Sequence, residues 1–96
     1  MSITKRVKFI AKEGCEEKMR ELLIAMVAPN KIEDGCIFYD IFAYKNNKRK
    51  FMAVESWRDN EALDGWHKTS AYYDLYKSSY EPYCEHKYSD ELEVLG

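Results

Sequence analysis

The stretch Gly35-Cys36-Ile37-Phe38-Tyr39-Asp40-Ile41-Phe42-Ala43-Tyr44, followed after a polar break by Arg49-Lys50-Phe51-Met52-Ala53-Val54-Glu55-Ser56-Trp57, decides the fold. Asn46-Asn47 between the two runs is a turn signal, so they read as a hairpin with a loop of a few residues. The first run is apolar on both faces. By alternation Cys36, Phe38, Phe42 and Tyr44 share one face, and Ile37, Tyr39, Ile41 and Ala43 share the other. Only Asp40 interrupts. A strand with two apolar faces needs a partner on each.

Working outward, Ile3, Lys5, Val7, Phe9 and Ala11 alternate with Thr4, Arg6, Lys8 and Lys12, which predicts a first strand ending near Gly14. From Cys15 to Ala28 the apolar positions Met19, Leu22, Leu23, Met26 and Val27 fall on a single helical stripe, which Pro29 ends or kinks. After the hairpin, Asp59 or Asn60 caps a second helix with Leu63, Trp66, Tyr73 and Tyr76 turned inward and a break near Ser70. Pro82 closes that helical region, and Leu92, Val94 and Leu95 read as a short last strand. The order strand, helix, strand, strand, helix, strand is that of an α+β, ferredoxin-like split βαβ sandwich in one domain spanning residues 1–96. Two helices cover one face of such a sheet. The second apolar face calls for another sheet, most economically in a homodimer packed sheet against sheet, a dimeric α/β barrel.

Composition narrows the function. A chain of 96 residues has a thin private core, yet it carries eight Tyr, four Phe and two Trp, enough rings to line a pocket or an interface as well. The net charge of −2, with acids and bases interspersed, supplies no basic stripe for nucleic acid and no polybasic membrane patch. Three cysteines, Cys15, Cys36 and Cys84, lack CxxC spacing and imply no disulfide framework, which suits reduced thiols in a cytoplasm. No apolar run approaches the ~18 residues of a membrane span, and no export signal follows Met1. Cys84-Glu85-His86 is the one metal-like grouping, and it lacks the further spaced ligands of a zinc site. No Gly-rich phosphate loop is present. The expectation is therefore no metal, no cofactor, no nucleic acid and no membrane.

Three spaced groups carry a family resemblance: Gly35-Cys36 with Tyr39, Glu55 with Trp57, and Ala62-Leu63 with His67. Together they resemble the antibiotic biosynthesis monooxygenase family, small dimeric ferredoxin-like proteins, several of which oxygenate quinols or other phenols without metal or flavin. The resemblance implies a cofactor-independent monooxygenase that oxidises a small phenolic or quinol compound with O2. It implies His67 as base or orienter of the substrate hydroxyl, since an imidazole moves protons near neutral pH. Trp57, Trp66, Tyr39, Phe51, Tyr72 and Tyr73 are the expected aromatic walls. Glu55, at a place where the family also has an acid, is expected to be structural, paired with a basic strand neighbour or a backbone donor.

The superfamily's haem degraders share Trp66, but their Asn and His places fall near Val7 and Tyr76, so haem is not expected. His67-Lys68-Thr69-Ser70 with Tyr72-Tyr73 also resembles a segment of an isomerase of a phosphorylated quorum-sensing signal, of the same fold. Such a ligand would need cationic donors, with Arg6, Lys8, Arg58 and Lys68 as candidates. A third class is a non-catalytic dimer that binds a small aromatic ligand.

Overall fold

The computed structural model describes residues 2–69 and 78–96, the side chains of residues 66–69 excepted. Its elements are β1 (Ile3–Ala11), α1 (Glu16–Ala25), α2 (Val27–Lys31), β2 (Cys36–Ala43), β3 (Lys50–Trp57), α3 (Asn60–Thr69) and β4 (Cys84–Leu92). The strands form one antiparallel sheet in the order β2-β3-β1-β4. This is the ferredoxin-like α+β arrangement, with the helices packed on one side of the sheet.

Register fixes which residues face the helices, because cross-strand partners point the same way. Tyr39, Glu55, Lys5 and Glu91 form one row across the four strands, and Ile41, Ala53, Val7 and Ser89 form the next. Both rows lie on the helix side. The main core gathers Phe9, Ala11, Phe51 and Ala53 from the sheet with Met19, Leu23 and Met26 from the first helical segment, together with Tyr39 and Tyr80. Each large side chain among them contributes about 1.5–3 kcal/mol by leaving water. A smaller cluster under α3 joins Trp57 and Leu63 with Ile3, Cys36 and Ala62.

The alternating rows Phe38–Ser56–Thr4–Leu92 and Phe42–Met52–Lys8–Tyr88 lie on the opposite, open face. There Phe38, Phe42, Tyr88 and Leu92 are 38%, 49%, 52% and 40% exposed.

Three local expectations change. The first helical stripe does not run unbroken to Ala28: α1 stops at Ala25, and α2 restarts at Val27 with Pro29 inside its first turn. That is where the N–H that proline lacks has no intrahelical partner anyway. Cys36 does not share a face with Phe38. Cys36 pairs with Trp57 and Phe38 with Ser56, so Ile37 is the extra residue of a β-bulge that turns Cys36 toward the helices. The last strand is Cys84–Leu92 rather than the segment around Leu92, Val94 and Leu95, whose last two residues are 71% and 89% exposed. It follows a 3-10 turn, Glu81–Tyr83, that holds Pro82.

The turns behave as their residues dictate. The Arg49 N–H donates to Asn47 Oδ1 at 3.0 Å and closes the hairpin loop. The Ala62 N–H donates to Asp59 Oδ1 at 2.9 Å, which makes Asp59 the cap of α3.

Candidate functional site

Where the helix-side rows carry small side chains, the sheet and helices do not close on each other. Val7 and Ala53 form the floor of a cavity of about 140 Å³, Met26 and Asn30 form its helical wall, and Tyr39, Glu55 and Tyr80 complete its sides. Lys5, Lys87 and Ser89 stand around it from β1 and β4. Its volume is close to that of a buried cavity that takes one benzene ring.

The polar groups of this cavity are unusually placed for a domain of this size. Glu55 is only 9% exposed. Burial pushes its carboxyl above the usual range, while the Lys5 ammonium, the Trp57 indole N–H and Lys87 pull the other way. The Trp57 contact is looser than a well-formed hydrogen bond. Glu55 thus keeps its proton more readily than a surface acid and takes one back more readily, a useful property in a group that exchanges protons with a ligand.

Asn30, 1% exposed, donates from Nδ2 to the Met26 carbonyl at 2.7 Å, which fixes the amide and leaves Oδ1 as an acceptor at the wall. Tyr80, 2% exposed, meets Phe9 edge-on with centroids 5.3 Å apart. Lys87 Nζ donates to the Tyr80 hydroxyl at 2.9 Å. Burial, reinforced by the Cys84 thiol and by Glu81 and Glu55, pushes the Tyr80 phenol well up, so it stays protonated and keeps a hydrogen to donate.

Of the residues singled out from the sequence, Tyr39 lies on the cavity wall. Trp57 and Phe51 are 0% and 1% exposed; Phe51 packs in the main core and Trp57 under α3. Trp66 and His67 fall on α3, their side chains outside the description, and Tyr72 and Tyr73 lie outside the described residues. Arg6 and Lys8 point to the open face, and Arg58 is paired with Asp34 and Asp59, so none of these cations serves the cavity. Lys68 is undescribed beyond its helical backbone. Cys84 and His86 do not converge on one point: the thiol donates to the His86 carbonyl, and the imidazole stacks on Tyr88. Among the described residues no three His, Cys, Asp or Glu side chains gather as a metal site.

Sequence reasoning left Asn30, Tyr80 and Lys87 unassigned. Asn30 carried a signal, since it continues the stripe Leu23, Met26 at helical spacing and so occupies a core position as a polar residue. Lys5 carried one too, sitting on the apolar side of the β1 alternation.

Comparison with known proteins adds an independent line. The antibiotic biosynthesis monooxygenase family profile matches residues 2–77. A Mycobacterium tuberculosis protein named "Putative monooxygenase Rv0793" is 31% identical over 71 residues, covering 74% of this chain and 68% of that protein. The solved structure of Rv0793 matches with a TM-score of 0.88 at 25% identity, over 100% of this chain and 97% of that one. The crystal structure of PA3566 from Pseudomonas aeruginosa matches with a TM-score of 0.90 at 27% identity, over 99% and 95% of the two chains.

Proposed function

This chain belongs to the antibiotic biosynthesis monooxygenase family, and from that premise we propose that it is a cofactor-independent monooxygenase oxidising a small phenolic or quinol compound with O2. The observation that carries the reading is the ring-sized cavity between sheet and helices, with a buried acid, a buried phenol and a buried amide on its walls. Such chemistry asks little of a protein. A phenol loses its proton, the anion is held away from water, and it reduces oxygen directly. One oxygen atom enters the ring and the other leaves as water, with all four electrons drawn from the substrate, so a phenol becomes a quinone.

His67 takes the hydroxyl proton or orients the hydroxyl in this reading, and Tyr39, Trp66, Tyr72 and Tyr73 provide aromatic wall. Glu55 is a second proton-exchanging group of the same cavity, placed there by the row it shares with Tyr39 and Lys5. Two copies pack open face to open face, covering Phe38, Phe42, Tyr88 and Leu92, and the protein works in the cytoplasm with its three thiols reduced. No described helix is long and apolar enough to cross a membrane.

The phosphorylated-ligand reading draws on Lys5 and Lys87, the two cations at the cavity among the described residues. It is the weaker of the two, since Lys5 stands in register between Glu55 and Glu91 and Lys87 alone remains to balance a dianion.

Oxygen consumption by the metal-free protein with a panel of hydroquinones and naphthols tests the proposal, with labelled dioxygen to trace the inserted atom. Uptake above autoxidation with one labelled atom in the product is expected. It should fall by ~100-fold or more in His67→Ala while thermal stability changes little. Absence of uptake with every substrate would refute the reading.

A further inference from the structure

The cations of the cavity are not equivalent. Lys5 faces two carboxylates across the sheet, Glu55 on β3 and Glu91 on β4. Lys87 faces Phe9 across the sheet, and among the described residues it forms no ion pair. Its ammonium lies 5.6 Å from the centroid of the Tyr80 ring and 6.0 Å from that of Phe9, and it donates to the Tyr80 hydroxyl at 2.9 Å. The side chain is at the rim and exposed. Because the Tyr80 oxygen accepts from Lys87, its own hydrogen is directed elsewhere. An ammonium and a phenolic O–H are then two donors side by side at the mouth of an aromatic cavity, and among the described residues neither is ion-paired with a carboxylate.

We propose that Lys87 and Tyr80 form an anion anchor, and that the cavity accordingly takes the ionised form of an aromatic compound, with its charged oxygen held by Lys87 Nζ and the Tyr80 hydroxyl. This deepens the monooxygenase reading and rests on it for the aromatic class of the ligand. A charge-assisted hydrogen bond is roughly twice as strong as a neutral one, and at a partly desolvated rim it favours the phenolate over the phenol. The anchor thereby supplies part of what the reaction needs, an anion already formed when oxygen arrives. Glu55, on the wall of the same cavity, sets a limit: its own charge repels the phenolate to the extent that it is ionised.

The test uses para-nitrophenol, a single-ring phenol that titrates near neutrality and whose yellow anion is read directly by absorbance. Its neutral isostere para-nitroanisole controls for ring binding. The anion should bind the protein about tenfold tighter than the neutral phenol, seen as a fall of about one pH unit in the apparent pKa of the bound probe. Lys87→Met should abolish that shift and leave nitroanisole affinity unchanged, while Lys87→Arg should retain it. Tyr80→Phe should reduce it in part. Inorganic phosphate binding more tightly than para-nitrophenolate, with nitroanisole not bound, would overturn the aromatic class. A shift that survives Lys87→Met, or no binding of either probe, would overturn the anchor itself. Oxygen uptake with hydroquinones is measured separately and judges the monooxygenase reading alone. A protein that consumes oxygen without preferring the anion sinks only the anchor.

Discussion

Gly35 and Ala62 approach so closely that a Cβ added to Gly35 would sit 2.5 Å from the Ala62 Cβ. Gly35 also has φ near +87°, and its carbonyl accepts from the Arg58 N–H at 2.7 Å, so the start of β2 and the start of α3 are locked together here. Gly35→Ala should cost about 3 kcal/mol, the sum of a left-handed backbone penalty of about 1–2 kcal/mol and an overpacking term of about 1–3 kcal/mol. Gly14 separates the two terms. It has φ near +82° with nothing within 4 Å of the added Cβ, so Gly14→Ala should cost only the backbone part, about 1–2 kcal/mol. Urea midpoints of the two variants check the difference, and adding Ala62→Gly to Gly35→Ala should recover the overpacking term less the roughly 1 kcal/mol that Ala62→Gly alone costs the helix.

Glu55 and Asp59 should tilt the pH dependence of stability in opposite directions. Burial raises the folded pKa of Glu55 above its ordinary 4.5, so the folded state holds the proton more tightly than the unfolded chain. Its effect is absent below pH 4.5 and becomes a penalty as pH rises through the folded value. Glu55→Gln should therefore be more stable than the parent near pH 7, with the gap closing toward acid. The Ala62 N–H lowers the pKa of Asp59 below 3.8, so its contribution is present above pH 3.8 and lost as pH falls through the lowered value. Asp59→Asn should be less stable than the parent near neutrality and should converge with it in acid. Denaturation curves between pH 3 and 8 read both signs (roughly the span that brackets carboxylate titration), and a Glu55→Gln variant less stable than the parent at pH 7 would contradict the burial argument.

The residues that carry the family resemblance lie at β2, β3 and α3, and the periodicity of β1, β2, β3 and the first helix was legible because each buries one face. β4 was not. It pairs only with β1 at the sheet edge, and its sequence from Cys84 to Leu92 is mostly exposed, so no apolar alternation marked it and the apolar tail at Leu92–Leu95 drew attention instead. Missing β4 meant missing Lys87, whose place beside Tyr80 depends on that strand. The bulge at Ile37 left no trace in composition either, so alternation carried Cys36 to the wrong face. Tyr39 and Glu55 were legible in the sequence, and Lys5 was marked by the β1 alternation. What the alternation could not show is that Ala53 and Val7 leave room between them and the helices, turning a row of core residues into the floor of a cavity.

A buried polar pair on the open face offers a clean energetic cycle. Thr4 Oγ1 and Ser56 Oγ lie 3.1 Å apart, in residues only 9% and 4% exposed, between Phe38 and Leu92 in the same row. Thr4→Val or Ser56→Ala alone strands a buried hydroxyl and should cost about 1–3 kcal/mol. The double variant removes both needs together and should cost less than the sum of the singles. A double-mutant cycle by urea denaturation measures the coupling, and strict additivity would show that the two hydroxyls do not depend on each other.

The open face should be where two copies meet. Phe38, Phe42, Tyr88 and Leu92 lie on one side of one sheet, all at least 38% exposed, while the helices cover only the other side. Charged groups interrupt the apolar ones in a pattern suited to self-pairing. Arg6 and Asp90 form an ion pair at 2.6 Å in the row between Phe38 and Phe42, and Lys8 and Lys50 border a depression beside Tyr88. An isologous two-fold contact would set these rows against their own copies and remove the rings from water. Sedimentation at micromolar concentration should accordingly give the mass of two chains. Phe42→Glu places a charge within the apolar patch of the open face without touching the helix-side core, so it should yield a folded single chain, with helical circular dichroism kept and the mass halved. Because the cavity opens on the other side of the sheet, para-nitroanisole affinity should persist in that monomer. A parent protein that sediments as one chain would remove the face-to-face arrangement, and a Phe42→Glu variant that remains dimeric would move the contact elsewhere on the surface.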